Sequence, residues 1–276
     1  MQQSNGYVIG FSAALTVVLG GALALAATSL RETQRVARDL DTKAQILSSV
    51  IEVEKGVDDI LGLYGERIKS VVIDAEGNEV TEDAEGNPLV AEKVEVGAEY
   101  KKAPEDRLYP VFMLTAEGNP EQIESYIFPM YGNGLWDKIW GFTALEQDLS
   151  TIRGVVFDHK AETPGLGARI AERYVQARYK GKKIYDDAPD LVSVKMVKSE
   201  IGDDTSYDDF HVDGMSGATM TANGVNDMMI NYLTYYQPFI DKVKSGDAPT
   251  SPGKEVPAPD VEEVPNVDST GIALNY

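Results

Sequence analysis

The sequence predicts an α+β protein in which a single N-terminal transmembrane helix precedes a domain with an antiparallel sheet and packed helices. Residues 1–30 carry no charged side chain, and a long apolar start of this kind is typical of a membrane-spanning helix. Later segments alternate between short runs of β-branched and aromatic residues and longer runs with apolar residues three or four positions apart. The short runs indicate strands and the longer ones amphipathic helices. Antiparallel strands with segregated helices favour the α+β class.

The first element is the apolar stretch 7–30. At a rise of about 1.5 Å per residue, it is long enough to span the hydrocarbon core of a bilayer. A cleaved signal peptide is the alternative, since the Ala-Leu-Ala pattern at 22–26 would suit a cleavage site. A signal peptide normally has a basic start and an apolar core of about 7–15 residues. Here the first basic residue is Arg31 and the apolar stretch is longer, which favours a retained anchor.

Composition limits the classes of partner and of chemistry. The chain has 45 Asp and Glu against 25 Lys and Arg, a net charge of −20. This balance argues against nucleic acid as a partner and against docking on an anionic leaflet. The absence of cysteine excludes disulfides, a thiol nucleophile and Cys-ligated iron–sulfur clusters. Any redox chemistry must therefore come from a bound organic cofactor or from a metal with other ligands.

The rest of the chain divides into parts of different character. After a short stub at 1–6 and the transmembrane helix, residues 31–108 form a helical connector with a hairpin-rich region. A core domain follows at 109–244. The tail at 245–276 is rich in Pro, Asp, Glu, Ser and Gly and is predicted to be disordered.

Within the connector, apolar periodicity predicts a helix from Arg31 to about Ile51 and a short helix over Asp58–Lys69. Ala-Glu-Gly-Asn occurs three times, at 75–78, 84–87 and 116–119. Gly-Asn pairs between alternating residues are turn signals, so these three units in the region 71–120 are interpreted as exposed hairpin turns.

The core domain supplies the strands and helices of the predicted fold. Each predicted strand is short and has turn signals at its ends. The predicted strands are Ile123–Phe128, Ile139–Glu146, Thr151–Asp158 and Leu191–Lys198, and the predicted helices are Ala168–Tyr179 and Ala222–Val243.

The loop Asp213-Gly214-Met215-Ser216-Gly217-Ala218-Thr219 is the most informative segment for function. It is made of small and polar residues and leads directly into the predicted helix 222–243. The free N–H groups and the dipole at a helix N-terminus favour a bound anion. Thr219 lies at the junction, where its hydroxyl can accept a hydrogen bond or form an ester. The loop is therefore a candidate phosphate site.

Two upstream loops are candidates for binding a flat ligand. Glycines in the segment 162–168 (Glu-Thr-Pro-Gly-Leu-Gly-Ala) permit close backbone approach, although an ordinary strand–helix connection explains the same residues. In the segment 131–136 (Tyr-Gly-Asn-Gly-Leu-Trp), Trp136 could stack on a conjugated ring. A half-buried tryptophan of the core is the alternative interpretation.

These segments resemble a known family. The run 213–219 resembles the motif that receives covalent FMN in the family of bacterial membrane flavoproteins that includes NqrC, a component of the sodium-pumping NADH:quinone reductase. The loops 162–168 and 131–136 are similar to two further loops of that family, in the same order. Residues 40–47 are similar to the Lys-x-x-Ile-Leu helix that follows its anchor. The core domain 109–244 is then an FMN-binding domain.

The resemblance implies roles for individual residues. FMN is joined to Thr219 through a phosphoester, and a separate flavin transferase, with FAD as donor, recognises Asp213. The implied cofactor-binding residues are Ser216, Gly217, Ala218, Glu162, Thr163, Gly165, Leu166, Gly167 and Trp136. No catalytic acid, base or nucleophile and no metal site is expected, and neither His159 nor His211 has the partners of a triad or a metal site.

The implied function is that of an electron-carrier subunit in a membrane sodium-pumping NADH:quinone oxidoreductase, relaying electrons between redox subunits toward quinone. Its partners are the other subunits of the complex, the membrane and, during maturation, the flavin transferase. Two alternatives are the G subunit of an Rnf-type electron-transport complex and a non-redox, membrane-anchored binding protein.

Sequence charge and family resemblance disagree on topology. Arg31, Arg35, Arg38 and Lys43 follow the apolar stretch, and nothing basic precedes it. The positive-inside rule would place the large domain in the cytoplasm. The resemblance implies the bacterial inner membrane with the large domain on the periplasmic face. Large domains can translocate despite flanking charge, so the periplasmic side is favoured.

Overall fold

The structure is a computed structural model that describes residues 4–51, 57–188, 190–202 and 207–247. Nearly all of the predicted tail and half of the N-terminal stub, 248–276 and 1–3, lie outside the described residues. The fold class is confirmed: an N-terminal apolar helix is followed by a domain of antiparallel sheet and helices.

A single long helix, α1, runs from Asn5 to Ser48. The side chain of Ser4 caps its start by accepting a hydrogen bond from the Tyr7 N–H at 3.3 Å. The part Asn5–Arg31 has no buried residue and contains an 18-residue stretch with a mean hydropathy of 2.2, so it is long and apolar enough to cross a membrane. At the other end, Ile46 and Leu47 are fully buried in the domain. One continuous helix therefore connects the candidate span to the folded domain.

The domain is built on a five-stranded antiparallel sheet with the strands in chain order. The strands are β1 (Ile68–Ile73), β2 (Tyr109–Ala116), β3 (Asn119–Asn133), β4 (Lys138–Glu146) and β5 (Ile152–His159). The three strands predicted around 123–128, 139–146 and 151–158 are confirmed. β3 is longer than predicted, and its C-terminal end carries the chain to the glycine-rich turn before Trp136.

Both faces of the sheet are covered. A long C-terminal helix, α5 (Thr219–Ser245), packs on one face, where the Phe128 and Tyr236 rings lie 4.7 Å apart. The Tyr236 hydroxyl donates to the carbonyls of Pro110 and Pro129 at 3.0 and 3.1 Å, which ties the helix to two strands. The end of α1 and the helix α2 (Val57–Arg67) pack on the opposite face.

The short helix predicted over Asp58–Lys69 is confirmed as α2, which ends at Arg67, and β1 follows without a break. The three Ala-Glu-Gly-Asn units lie at turns between antiparallel residues, as predicted. The region 71–120 also contains the second half of β1 and all of β2, which were not predicted and whose residues there are almost all buried. The sequence did not predict β1 and β2 because the segment between them is polar and rich in turn residues, and because the two strands pair only through tertiary contact. Since β1 pairs with β2, the sheet begins before the predicted domain boundary at 109.

The first Ala-Glu-Gly-Asn turn packs against the domain. The Asp74 carboxylate accepts the N–H of Glu76 at 3.0 Å and of Asn78 at 2.8 Å, an arrangement typical of aspartate in turns. Gly77 adopts a φ of +72°, and a Cβ there would lie 2.8 Å from the backbone carbon of Pro238. Only glycine allows this turn to approach α5 so closely.

Two predictions fail C-terminal to β5. The helix predicted over Ala168–Tyr179 is three short pieces, with α-helical geometry confined to α4 (Arg173–Gln176). Glu172 has an extended backbone and interrupts the predicted helix, while Ile170 and Tyr179 are fully buried. Packing therefore overrides local helix propensity.

The predicted strand Leu191–Lys198 is reduced to β6 (Lys195–Met196), which pairs in parallel with β7 (His211–Val212). A very short helix, α3 (Val96–Glu99), precedes β2.

Candidate functional site

Glu162 joins the three loops singled out in the sequence. Its side chain is only 4% exposed. One carboxylate oxygen accepts the backbone N–H of Trp136 at 2.9 Å, and the other accepts the hydroxyl of Thr221 at 2.5 Å. Thr221 lies in the first turn of α5, two residues beyond Thr219. The structure thus brings the 131–136 turn, the 162–168 loop and the start of α5 together around one carboxylate.

Glycines make this convergence possible. A Cβ on Gly134 would overlap the Glu162 carboxylate, and a Cβ on Gly167 would lie 2.5 Å from the second carboxylate oxygen and would also overlap the Thr221 hydroxyl. Gly224 in α5 lies against the carbonyl of Asn133 in the same way. Each of these glycines is needed because backbone or carboxylate atoms occupy the space of a side chain.

Thr219 is the first residue of α5 and is half-buried. Ala218 at the N-cap position provides no side-chain hydrogen bond to the first turn of the helix. The N-terminal N–H groups of a helix without a side-chain cap attract an anion. Gly217 has a φ of +74°, and a Cβ there would lie 3.0 Å from the Leu166 side chain. The loop that the sequence predicts as a phosphate site therefore lies beside the 162–168 loop.

The Asp213 carboxylate lies inside the protein and holds the loop from within. Its side chain is 1% exposed and accepts the N–H groups of Ile201 at 2.9 Å and Gly202 at 2.7 Å, and the hydroxyl of Tyr207 at 3.1 Å. Burial opposes ionisation, but these hydrogen bonds keep the pKa of Asp213 below its usual value.

A second set of contacts holds the middle of the loop. Glu200 accepts the backbone N–H of Ser216 at 2.6 Å and is paired with the guanidinium of Arg169. This hydrogen bond from Arg169, opposed by burial, lowers the pKa of Glu200 to about 2. Arg178 donates to the carbonyls of Asp213 and Gly214 at 3.1 and 2.7 Å. Loop 213–219 is thus fixed by charged groups from two neighbouring segments.

Sequence reasoning missed Arg169, Arg178, Glu200 and Thr221 as parts of this scaffold. Arg169 and Arg178 fall within the segment that was wrongly predicted as one helix. Glu200 lies in an irregular segment without periodicity, and no motif distinguished it from the many other acidic residues of the chain.

Exposed apolar side chains lie on the loops that meet at the start of α5. Trp136 is 69% exposed, so the interpretation of this residue as half-buried core is wrong. Its indole N–H donates to the Thr163 hydroxyl at 3.1 Å, which orients the ring relative to the 162–168 loop. Leu135, Leu166 and Met220 are also exposed. Exposed apolar groups on loops beside a helix N-terminus suit a flat conjugated ligand with an anionic end.

The two histidines have structural partners. The His159 ring nitrogen accepts the N–H of Glu162 at 3.3 Å, and that of His211 lies 2.7 Å from Asp208. Across the part of the chain that the structure describes, no cluster of His, Asp and Glu has the arrangement of a metal site.

Comparison with known proteins decides the family. The FMN-binding domain family matches residues 134–234, a range that includes Trp136, Glu162 and Thr219. The NqrC protein of Vibrio parahaemolyticus, a subunit of its Na⁺-translocating NADH-quinone reductase, is 30% identical over 260 residues, which cover 89% of this chain and 96% of that protein. The chain belongs to the NqrC family.

Solved members of the NqrC family have the same fold. The Parabacteroides distasonis protein is 34% identical in sequence to this chain. Its crystal structure superposes with a TM-score of 0.62, over 76% of this chain and 96% of the Parabacteroides distasonis chain. The structure of the Shewanella oneidensis protein is 26% identical, with coverage of 76% and 99% and a TM-score of 0.63. The expected family and the FMN-binding domain are both confirmed.

Proposed function

We propose that this chain is the subunit of a Na⁺-translocating NADH:quinone oxidoreductase that carries FMN on Thr219 through a phosphoester. Its role is to relay electrons between redox subunits toward quinone. The observation that supports this most is the position of the Thr219 hydroxyl. It lies at a helix N-terminus without a side-chain cap, next to the loops gathered by Glu162. Membership of the NqrC family favours this role over that of an Rnf G subunit.

The residues at the site suit FMN. The first turn of α5, preceded by Ser216, Gly217 and Ala218, offers backbone N–H groups and a favourable dipole to a phosphate. Trp136 and Leu166 offer exposed apolar surface to a ring. Thr163, Gly165 and Gly167 shape the loop that supports this surface. FMN, when bound, supplies the one- and two-electron chemistry.

Glu162 positions the loops and does not transfer a proton in this proposal. Both of its oxygens already accept hydrogen bonds, from Trp136 and Thr221. Ionised, it can accept both bonds at once. Its contribution is to hold the backbone of Trp136 and the first turn of α5 in a fixed relation, as preorganised cofactor sites require.

Attachment of the cofactor requires an accessible Thr219 hydroxyl. In the proposed reaction, the Thr219 oxygen bonds to the flavin-side phosphorus of FAD while the bond between the two phosphates breaks and AMP leaves. The flavin transferase accepts the hydroxyl proton. Because the Asp213 carboxylate is buried, we propose that it contributes to transferase recognition indirectly. It fixes the conformation of the loop that the transferase recognises.

The proposed location is the bacterial inner membrane. The segment Asn5–Arg31 of α1 is long and apolar enough to span it, and the proposed side of the large domain is the periplasm. The remaining subunits of the complex are the proposed electron-transfer partners.

A visible absorption spectrum tests whether the chain is a flavoprotein. The full chain is produced together with a flavin transferase and purified in detergent. We expect flavin absorption bands that stay with the protein after denaturation and removal of small molecules. A colourless protein would instead support the alternative of a non-redox binding protein.

A further inference from the structure

A cleft of about 410 Å³ lies on the domain, and Thr219, Glu162 and Trp136 are not among the residues that line it. It is bounded by the segment that carries Tyr100 and Arg107, by the C-terminal end of β3 and by one side of α5. Its volume is in the range of small-molecule sites, which is about 300–1,000 Å³. Four of the residues that line it are tyrosines: Tyr100, Tyr131, Tyr232 and Tyr235.

Arg107 is held rigidly at this cleft. Its Nε donates to the carbonyl of Lys102 at 2.9 Å, and its Nη2 donates to the carbonyl of Tyr100 at 3.1 Å. Its guanidinium carbon lies 5.2 and 5.4 Å from the ring centroids of Tyr100 and Tyr235, within the range of a cation–π contact. The residue is 8% exposed, and the remaining nitrogen, Nη1, has no hydrogen-bond partner among the described residues.

Tyr232 contributes a second buried polar atom to the same cleft. The side chain is 1% exposed, and its hydroxyl has no hydrogen-bond partner in the described part of the chain. Buried donors without partners are rare in folded proteins, because such a group loses its hydrogen bonds to water and gains none in return. Here two of them, one cationic and one neutral, line one cleft.

We propose that this cleft binds a flat aromatic monocarboxylate. The carboxylate accepts hydrogen bonds from Arg107 Nη1 and the Tyr232 hydroxyl, and the ring of the ligand packs between the tyrosine side chains. Lys138, whose Nζ lies 5.0 Å from the Tyr100 ring centroid, adds positive charge nearby. The exposed carboxylate of Asp227 at the cleft disfavours a second negative charge on the ligand.

The test uses 2-naphthoate and its neutral carboxamide, 2-naphthamide, as probes. The full chain is made without a flavin transferase and purified in detergent, and binding is measured by calorimetric titration. We expect saturable one-to-one binding of 2-naphthoate and a rise in the midpoint of thermal unfolding. The carboxamide should bind roughly tenfold or more weakly, because it lacks the charge that strengthens the hydrogen bond to Arg107.

Two variants separate the proposed site from general hydrophobic binding. Tyr232→Phe should weaken 2-naphthoate about two- to tenfold, without lowering the unfolding midpoint of the free protein, because the lost hydroxyl has no partner there. Arg107→Lys should weaken binding further, because the single nitrogen of lysine cannot occupy the separate positions from which the three arginine nitrogens contact the two carbonyls and the ligand. Tyr126→Phe is the matched control, since Tyr126 belongs to the same core but does not line the cleft. Equal binding of the two probes, wild-type affinity in Tyr232→Phe, or no saturable binding would each overturn the proposal.

Discussion

The carboxylate of Glu162 accepts a hydrogen bond of 2.5 Å from the hydroxyl of Thr221, and the two residues are 59 positions apart in the chain. Because Thr221 lies in the first turn of α5, this bond fixes the helix N-terminus relative to the loop that begins at Glu162. The same carboxylate holds the Trp136 turn. Changes at Glu162 should therefore affect both the stability of the domain and the incorporation of flavin.

Replacement of Glu162 is expected to destabilise the domain. Glu162→Ala leaves the Trp136 N–H and the Thr221 hydroxyl without their acceptor, and we expect a loss of about 1.5–3 kcal/mol in the free energy of unfolding. Glu162→Gln keeps an acceptor for Trp136 and should lose less. Denaturant titration of the purified chain measures both. Glu121→Ala, at an exposed site, is the control and should change stability by less than about 0.5 kcal/mol.

Gly167→Ala is expected to weaken the hydrogen bond between Glu162 and Thr221 by steric overlap. The added methyl would overlap the Thr221 hydroxyl and lie 2.5 Å from Glu162 Oε2, and we expect a loss of about 1–3 kcal/mol. Covalent flavin, measured as gel fluorescence after production with the transferase, should fall in parallel. Gly62→Ala in α2 is the matched control, because a Cβ there meets no atom within 4 Å. A Gly167→Ala protein as stable as the control would contradict the packing described here.

Glu200 should make the stability depend on pH in the acidic range. Its pKa of about 2 in the folded protein is below its usual value of 4.5. The contribution of the ionised group is therefore complete above about pH 4.5 and is lost as the pH falls toward 2. In Glu200→Gln, the fall in unfolding free energy across this window should be shallower than in the wild type. Glu172→Gln, at an exposed carboxylate nearby, should leave the profile unchanged, and identical profiles for all three proteins would refute the role of Glu200.

The side of the membrane can be tested by cysteine labelling, because the natural chain has no cysteine. Glu85→Cys places a thiol at an exposed position in the second Ala-Glu-Gly-Asn turn, next to Gly86, whose φ of +80° makes that glycine a poor site for substitution. An impermeant maleimide should label Glu85→Cys in intact cells stripped of outer membrane. Ser4→Cys, at the other end of the candidate span, should react only after lysis. The reverse pattern would place the large domain in the cytoplasm.

Local sequence patterns were sufficient for the parts of the fold that depend on local structure. Strands β3 to β5 and helix α5 have regular apolar patterns and clear turn signals, and the family motifs located the three loops. β1 and β2 were missed because their apolar residues flank a polar, turn-rich insertion, and their pairing is decided by tertiary contact. The segment 168–179 has helical composition, but the burial of Ile170 and Tyr179 breaks it into short pieces.

The contacts that hold the candidate site together could not be predicted from the sequence, because they also join segments that are distant along the chain. Glu162 appeared only as a member of a loop motif, and nothing in the sequence indicated that its partners are Trp136 and Thr221. Asp213 was expected only to be recognised by a flavin transferase, and nothing in the sequence indicated that its carboxylate is buried and accepts hydrogen bonds from Ile201 and Gly202. Contacts between distant segments depend on the three-dimensional arrangement.

Intact mass spectrometry of the chain made with a flavin transferase tests the central proposal most directly. The wild type should be heavier than the apo-protein by one FMN less one water. Thr221→Ser, which keeps a hydroxyl for Glu162, should carry the same addition. Thr219→Ala, verified as folded by thermal unfolding, should carry none, because it lacks the oxygen of the ester. A folded Thr219→Ala protein that still carries the additional mass would place the flavin on another residue and contradict the account.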